Sequence, residues 1–215
     1  MKALRILGPA LLITFTVLVQ TFSAGAISAP YYNQLFDRFE VHRTVGVSPE
    51  RIREVGIEIV DYLDHRLPSL DTRYFNEREI HHMEDVRGLF AHLKIANALS
   101  LIASLTALTW IWRNRSRRDA ARTILMGMIA AILLSAGVAL FLIFGDFEPA
   151  FIRFHEIFFN NNLWILNPAT DRLIQMMPLD FFIAFVRDWV IRIAATFAAL
   201  LIASGSYCFF VRRTR

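Results

Sequence analysis

The sequence holds one cysteine, Cys208, so no disulfide can form within the chain. Cys208 sits near the end of the last long apolar run, where a small apolar filler is expected and a catalytic thiol is not. Several motifs are missing too. There is no Gly-x-Ser-x-Gly nucleophile elbow, no His-Glu-x-x-His zinc pair, no P-loop and no glycine-rich dinucleotide turn. Carboxylates are scarce where basic residues gather. The segments around Lys2 and Arg5, from Arg113 to Arg122, and from Arg212 to Arg215 contain one acidic side chain, Asp119.

What the chain has is apolar surface. Hydrophobic residues make up 55% of 215 and aromatics 13%, which points away from an ordinary soluble domain. A hydrocarbon core of about 30 Å needs roughly 20 apolar residues, and four stretches meet that length: 6–27, 89–112, 124–144 and 185–210. The predicted fold is an all-α membrane protein. It has four transmembrane helices (1–27, 89–112, 124–145 and 185–211) and an α-helical extracellular cap formed by two outside segments, 28–88 and 146–184. By the positive-inside rule, the basic linker 113–123, the tail 212–215 and the amino terminus face the cytoplasm. The net charge of +4 then reflects topology and not nucleic-acid binding. The first run begins with basic residues and ends in the small-residue stretch Ser23-Ala-Gly-Ala-Ile-Ser-Ala, as a signal peptide would. It exceeds the roughly 7–15 residues of a signal-peptide apolar core, so it is expected to stay as an anchor.

The first outside segment contains Ser48-Pro49-Glu50-Arg51, an N-cap residue followed by proline at the first helical position. Ile52, Val55, Ile59 and Tyr62 recur at helical spacing and predict a helix ending before Pro68. Asn76-Glu-Arg-Glu79 resembles a capping box and predicts a helix running into the second span. His82 lies inside that helix, with Glu79 and Asp85 at i−3 and i+3 on its face. Either carboxylate could orient the imidazole. His81 points about 100° away and cannot share the same task.

The second outside segment is dense in aromatics. Phe147, Phe151, Phe154 and Phe158 form a stripe at helical spacing around His155, and Phe151, His155 and Phe159 are four apart. Asn160-Asn-Asn is expected to end that helix, with Trp164 following. The stretch 163–177, flanked by Pro168 and Pro178, should lie along the interface or re-enter. An aromatic belt at the membrane boundary accounts for single rings; the crowd around His155 also suits a greasy, partly dry slot. Two near-neutral titrating groups, His82 and His155, placed on one side of a bilayer suggest acid–base chemistry on a lipid-like substrate. His81, His82, Asp85, His155 and Glu156 are of metal-ligating types, but adjacent helical histidines do not easily converge on one ion. No metal or other cofactor is expected.

At these residues the chain resembles the bacterial lipoprotein intramolecular transacylases, four-span membrane proteins with an extracellular cap. The resemblance is most specific in Phe75-Asn-Glu-Arg-Glu-Ile-His-His-Met-Glu-Asp-Val86 and in Phe154-His-Glu-Ile-Phe-Phe-Asn-Asn-Asn-Leu-Trp164. The stretches Asn167-Pro-Ala-Thr-Asp171 and Met177-Pro-Leu-Asp-Phe-Phe182 are similar as well. It implies that His82 and His155 are the catalytic pair, with His81 outside the reaction. Glu79 and Asp85 would orient, and Phe151, Phe154, Phe158 and Trp164 would hold substrate. The implied substrate is a lipoprotein whose N-terminal cysteine carries a thioether-linked diacylglyceryl group and a free α-amine. The acyl chain at the middle glyceryl carbon (sn-2) would move to that amine, leaving a lyso-form lipoprotein. One histidine would take the amine proton; the other would stabilise the oxyanion and protonate the departing glyceryl oxygen, with His155 favoured as the base. The expected setting is the bacterial cell membrane, multi-pass, with both termini cytoplasmic and the site at the extracellular interface. Membrane lipids are expected partners, nucleic acid is not, and the chain is expected to act as a monomer. Two other classes stay open: a metal-dependent outer-leaflet lipid hydrolase, and a non-catalytic membrane sensor or assembly factor.

Overall fold

A computed structural model describes residues 4–114 and 117–213, and the side chains of 7–114 and 121–197. Cys208, the tail from Arg212 and most of the basic side chains that set the expected orientation, Lys2 and Arg5 among them, fall outside the described side chains. Among the described residues every regular element is a helix. Among the described residues three helices are long and apolar enough to cross a membrane: Leu7–Ala26, Glu77–Asn114 and Ala121–Phe144. The fourth expected span lies on a helix that runs Leu179–Arg213, and its side chains from 198 onward are among those not described.

The chain divides into two compact units. One gathers Met1–Thr21, Asn97–Ile143 and Arg187–Arg215. It holds most of α1 (Leu4–Ala26), the later part of α5 (Glu77–Asn114), α6 (Arg117–Phe144) and most of α9 (Leu179–Arg213). Its described apolar residues largely face outward, Leu99, Ile102, Leu133 and Ile143 among them, as helices in lipid do and helices in water avoid. Inward, the helices meet through small and hydroxylated residues. Thr14 Oγ1 donates to the Gly127 carbonyl at 2.9 Å, Thr16 and Ser104 hydroxyls meet at 2.9 Å, and Trp189 Nε1 donates to Thr21 Oγ1 at 3.0 Å. Gly127 permits the closest approach, since a Cβ there would stand 2.8 Å from the Ala10 carbonyl oxygen.

The other unit, Phe22–Ala96 with Phe144–Val186, has a conventional core. The sequence predicts two of its helices well. α4 (Pro49–Leu63) starts where Ser48 Oγ accepts from Arg51 N, and it buries Ile52, Val55, Ile59 and Tyr62. α5 starts on a reciprocal capping box: Asn76 N donates to Glu79 Oε2 at 2.8 Å, and Glu79 N donates to Asn76 Oδ1 at 3.0 Å. Three short helices have no counterpart in the sequence expectation: α2 (Ala29–Arg38), α3 (Val41–Val45) and α8 (Arg172–Met176). α2 packs on α4, with Phe36 buried between them. α7 (Phe147–Phe158) is capped by Asp146, whose Oδ1 accepts from Glu148 N, and ends just before the asparagine run. The stretch from 159 to 171 is irregular, and α8 (Arg172–Met176) follows it. Cations on α5 hold the α4–α5 turn. Arg87 donates to the Leu67 and Pro68 carbonyls, and Lys94 Nζ pairs with Asp64 Oδ1 at 2.6 Å.

Close packing of α2 on α4 depends on Gly56. A Cβ there would lie 2.6 Å from Asn33 Oδ1 and 2.9 Å from the Phe36 ring. Gly56→Ala should therefore cost about 1–3 kcal/mol of stability. A thermal melt of the detergent-solubilised protein that matches wild type would contradict this packing.

Candidate active site

The second turn of α5 carries His82, and the last turn of α7 carries His155. Each is 7% exposed. Their imidazole centroids lie 6.0 Å apart with the rings tilted by 38°. Two side chains far apart in sequence are thus buried side by side.

Aromatic rings pack around the pair. Phe151 approaches His155 to 4.4 Å between centroids, and Trp164 stacks on it at 4.9 Å with only 29° between planes. Phe154 meets it edge-on at 5.4 Å. Phe158 packs on Phe154 at 4.7 Å and is itself exposed. Phe159, which the spacing sets four residues from His155, is buried at 5.3 Å from His82 and 5.5 Å from His155. Its contact with both imidazoles, at the residue where the chain leaves α7, is not contained in that spacing.

The hydrogen bonds distinguish the two imidazoles. Nδ1 of His155 lies 2.8 Å from the Phe151 carbonyl oxygen. A carbonyl only accepts, so Nδ1 must carry the proton, and Nε2 keeps its lone pair. Nδ1 of His82 is buried with no hydrogen-bond partner. His82 precedes the apolar stretch of its helix, and burial, helped by nearby His155 and opposed by Asp85, pushes its pKa down to about 4. Burial lowers that of His155 as well, against the opposing effect of the Phe151 carbonyl. Both rings are therefore neutral at pH 7.

The carboxylates expected to orient His82 have other hydrogen-bond partners. Glu79 is 1% exposed, and its oxygens accept from Asn76 N and, at 2.6 Å, from Leu173 N. Asp85 Oδ2 accepts from Asn161 Nδ2 at 2.8 Å, so Asp85 acts on His82 through its charge. His81 points outward as helical geometry requires. Its side chain is 49% exposed and bonds Glu84 at 2.9 Å. Among the described residues, no group of three or more His, Cys, Asp or Glu side chains is placed to hold a metal ion.

The chain matches the family model described as lipoprotein intramolecular transacylase Lit over residues 7–182. No curated protein sequence matches it. Among solved structures it is similar to the membrane integral lipoprotein intramolecular transacylase Lit from Bacillus cereus, at 18% identity and a TM-score of 0.73, covering 96% of this chain and 98% of that one. Two variants of that Bacillus cereus protein, one with a histidine replaced by arginine and one by alanine, give TM-scores of 0.70 and 0.75. Their identities are 17% and 16%, with 96% and 100% of this chain covered and 95% and 96% of theirs. At these identities the likeness speaks for the fold.

Burial of neutral His82 has a consequence for stability. Between about pH 6.5, its ordinary value, and about pH 4, its value here, the unfolded chain binds a proton that the folded chain refuses. Stability is therefore fully present above that window and falls as pH drops through it. His82→Gln should flatten that part of the stability–pH curve. Thermal melts from pH 7 to pH 4 that keep the same slope in the variant would contradict the assignment.

Proposed function

This chain belongs to the family of lipoprotein intramolecular transacylases and is an acyl-transferring enzyme, and we propose that it performs the transfer with His82 and His155. The substrate is a lipoprotein whose N-terminal cysteine carries a diacylglyceryl thioether and a free α-amine. The sn-2 acyl chain moves to that amine, and the product is the lyso form.

The observation that carries this reading is the pair of buried, neutral imidazoles 6.0 Å apart in an aromatic slot. In the reaction the amine nitrogen bonds to the ester carbonyl carbon and loses a proton. The bond from that carbon to the glyceryl oxygen then breaks, and the oxygen takes the proton up. Atoms and charge balance within one molecule, so no water and no protein nucleophile is consumed. A substrate that brings its own amine explains why neither histidine motif contains a serine, threonine or cysteine. An amine with a pKa of about 7.7–8.0 needs only a modest base.

The hydrogen bonding favours His155 as that base. Phe151 holds its Nδ1 proton, which leaves Nε2 to accept from the amine. The imidazolium so formed faces the stacked Trp164 ring, and cation–π attraction of about 0.5–2 kcal/mol favours it. His82, kept neutral, offers an N–H to the oxyanion. It would have to become an imidazolate to give that proton away, so the glyceryl oxygen recovers its proton from His155. The protein's larger contribution is to bring ester and amine together, where effective molarity lowers the barrier by several kcal/mol. We take 28–88 and 146–184 as the outside segments and 113–123 as a cytoplasmic linker. That topology puts the slot level with the ester region of outer-leaflet lipid.

Mass spectrometry of a lipoprotein's N-terminal peptide tests the reading, in cells that lack other N-acylating activity. The enzyme should move one acyl chain from glycerol to the amine at unchanged total mass. His82→Ala or His155→Ala should slow transfer by about 10²–10⁴-fold while the protein stays folded, and His81→Ala should stay near wild type. A folded His82 or His155 variant with normal turnover overturns the pair's role. Loss of one acyl chain's mass, abolished by chelation, would favour a metal-dependent hydrolase.

A further inference from the structure

The irregular stretch from 159 to 171 is tied to α5 by side chains that acyl transfer does not itself use, and Asn161 makes the most telling set of bonds. Its Nδ2 donates to Asp85 Oδ2 at 2.8 Å. Its Oδ1 accepts from Leu163 N at 3.0 Å. Its backbone carbonyl accepts from Trp164 Nε1 at 3.0 Å. Asp85 stands one helical turn beyond His82 on α5, and Trp164 stacks on His155. One residue is thus bonded to a neighbour of each imidazole. Arg78 on α5 steadies the same loop by donating to the Asn162 carbonyl at 2.9 Å.

We propose that Asn161 is a positioning residue that sets the histidine pair by tying Asp85 on His82's helix to Trp164 on His155. The chemistry of the contacts demands an amide. Asp85 needs a donor and the Leu163 N–H needs an acceptor, and one short side chain must supply both at once. Aspartate offers only acceptors, and glutamine displaces the amide by a methylene. The bond also commits Asp85. His82 Nδ1 is buried and unpartnered, and an i+3 carboxylate released from Asn161 is free to turn toward it. Such a contact would raise the basicity of His82, occupy its Nδ1 and turn the ring out of the arrangement it holds beside His155. The charged and titratable groups facing His82 are Asp85 on its own helix and His155 from α7. Glu79 on the same helix is committed to Asn76 and Leu173.

The catalytic consequence rests on the acyl-transfer reading, whereas the hydrogen-bond geometry does not, so the test has two arms. The first follows imidazole titration by nuclear magnetic resonance in the full-length protein labelled at histidine, with the His82 signal identified by its loss in His82→Ala. Asn161→Ala and Asn161→Asp should each raise the His82 midpoint by about one unit or more. The second arm measures lipoprotein turnover. Both variants should lose about 10- to 100-fold in kcat with KM little changed, and exposed Asn160→Ala should match wild type. The double exchange Asp85→Asn with Asn161→Asp restores a donor–acceptor pair with the charge on the other side, and should recover part of the lost kcat. An unmoved His82 midpoint in folded variants overturns the proposal, as does unchanged kcat. A folding defect that the exchange does not repair also overturns it, by assigning Asn161 to loop stability alone. If wild-type protein moves no acyl chain, the transacylase reading fails, and the titration still decides the role of Asn161.

Discussion

The site depends first on a buried carboxylate. Glu79 lies in the first turn of α5, and its oxygens accept from the backbone N–H of Asn76 and of Leu173. Burying an acid is costly unless donors replace the lost water, and burial does raise its pKa, while these two bonds hold it back. The same carboxylate that caps one helix therefore fastens a segment from the far side of the sequence. Asp171 adds to the fastening: Asn76 Nδ2 and the backbone N–H of Asn167 both donate to it. With the end of the irregular stretch held there, Trp164 is kept within reach of His155.

Neutrality is the second constraint. Two buried imidazoles 6.0 Å apart can be charged together only at great expense, because desolvation and mutual repulsion act in the same direction. That expense keeps both rings unprotonated at neutral pH, with no charged group hydrogen-bonded to either. A single backbone hydrogen bond, from His155 Nδ1 to the Phe151 carbonyl, selects the nitrogen left to accept a proton. Among buried side chains each of these interactions weighs more than it would in solvent. Local helical geometry sets the tautomer, since Phe151 lies one turn before His155 on α7.

Much of this was legible in the chain. His82 and His155 stood out because ionisable groups are rare beside apolar runs. The capping box at Asn76 and Glu79 and the N-cap at Ser48 were readable because caps depend on residues three or four apart. The orienting role expected of Glu79 was drawn from the same i−3 spacing. Spacing on a helix, however, cannot reveal that Leu173 N–H would occupy the carboxylate. α3, at five residues, is too short to show a period, whereas α2 does carry one in Tyr32, Leu35 and Phe36 at i, i+3 and i+4, confined to a single ten-residue stretch.

What the sequence alone determined was local or one-dimensional: which stretches are apolar enough for a bilayer, where helices begin, and which face of α5 carries His82. Hydrophobic runs, caps and helical period are properties of neighbouring residues, so no third dimension is needed to read them. The tertiary structure decided how the two imidazoles meet, that Phe159 lies beside both, and that Asn161 answers Asp85. Those relations join α5 to α7 and to the irregular stretch after it. Their geometry comes from packing and from the need of every buried polar group for a partner, and neither constraint is written in any one segment.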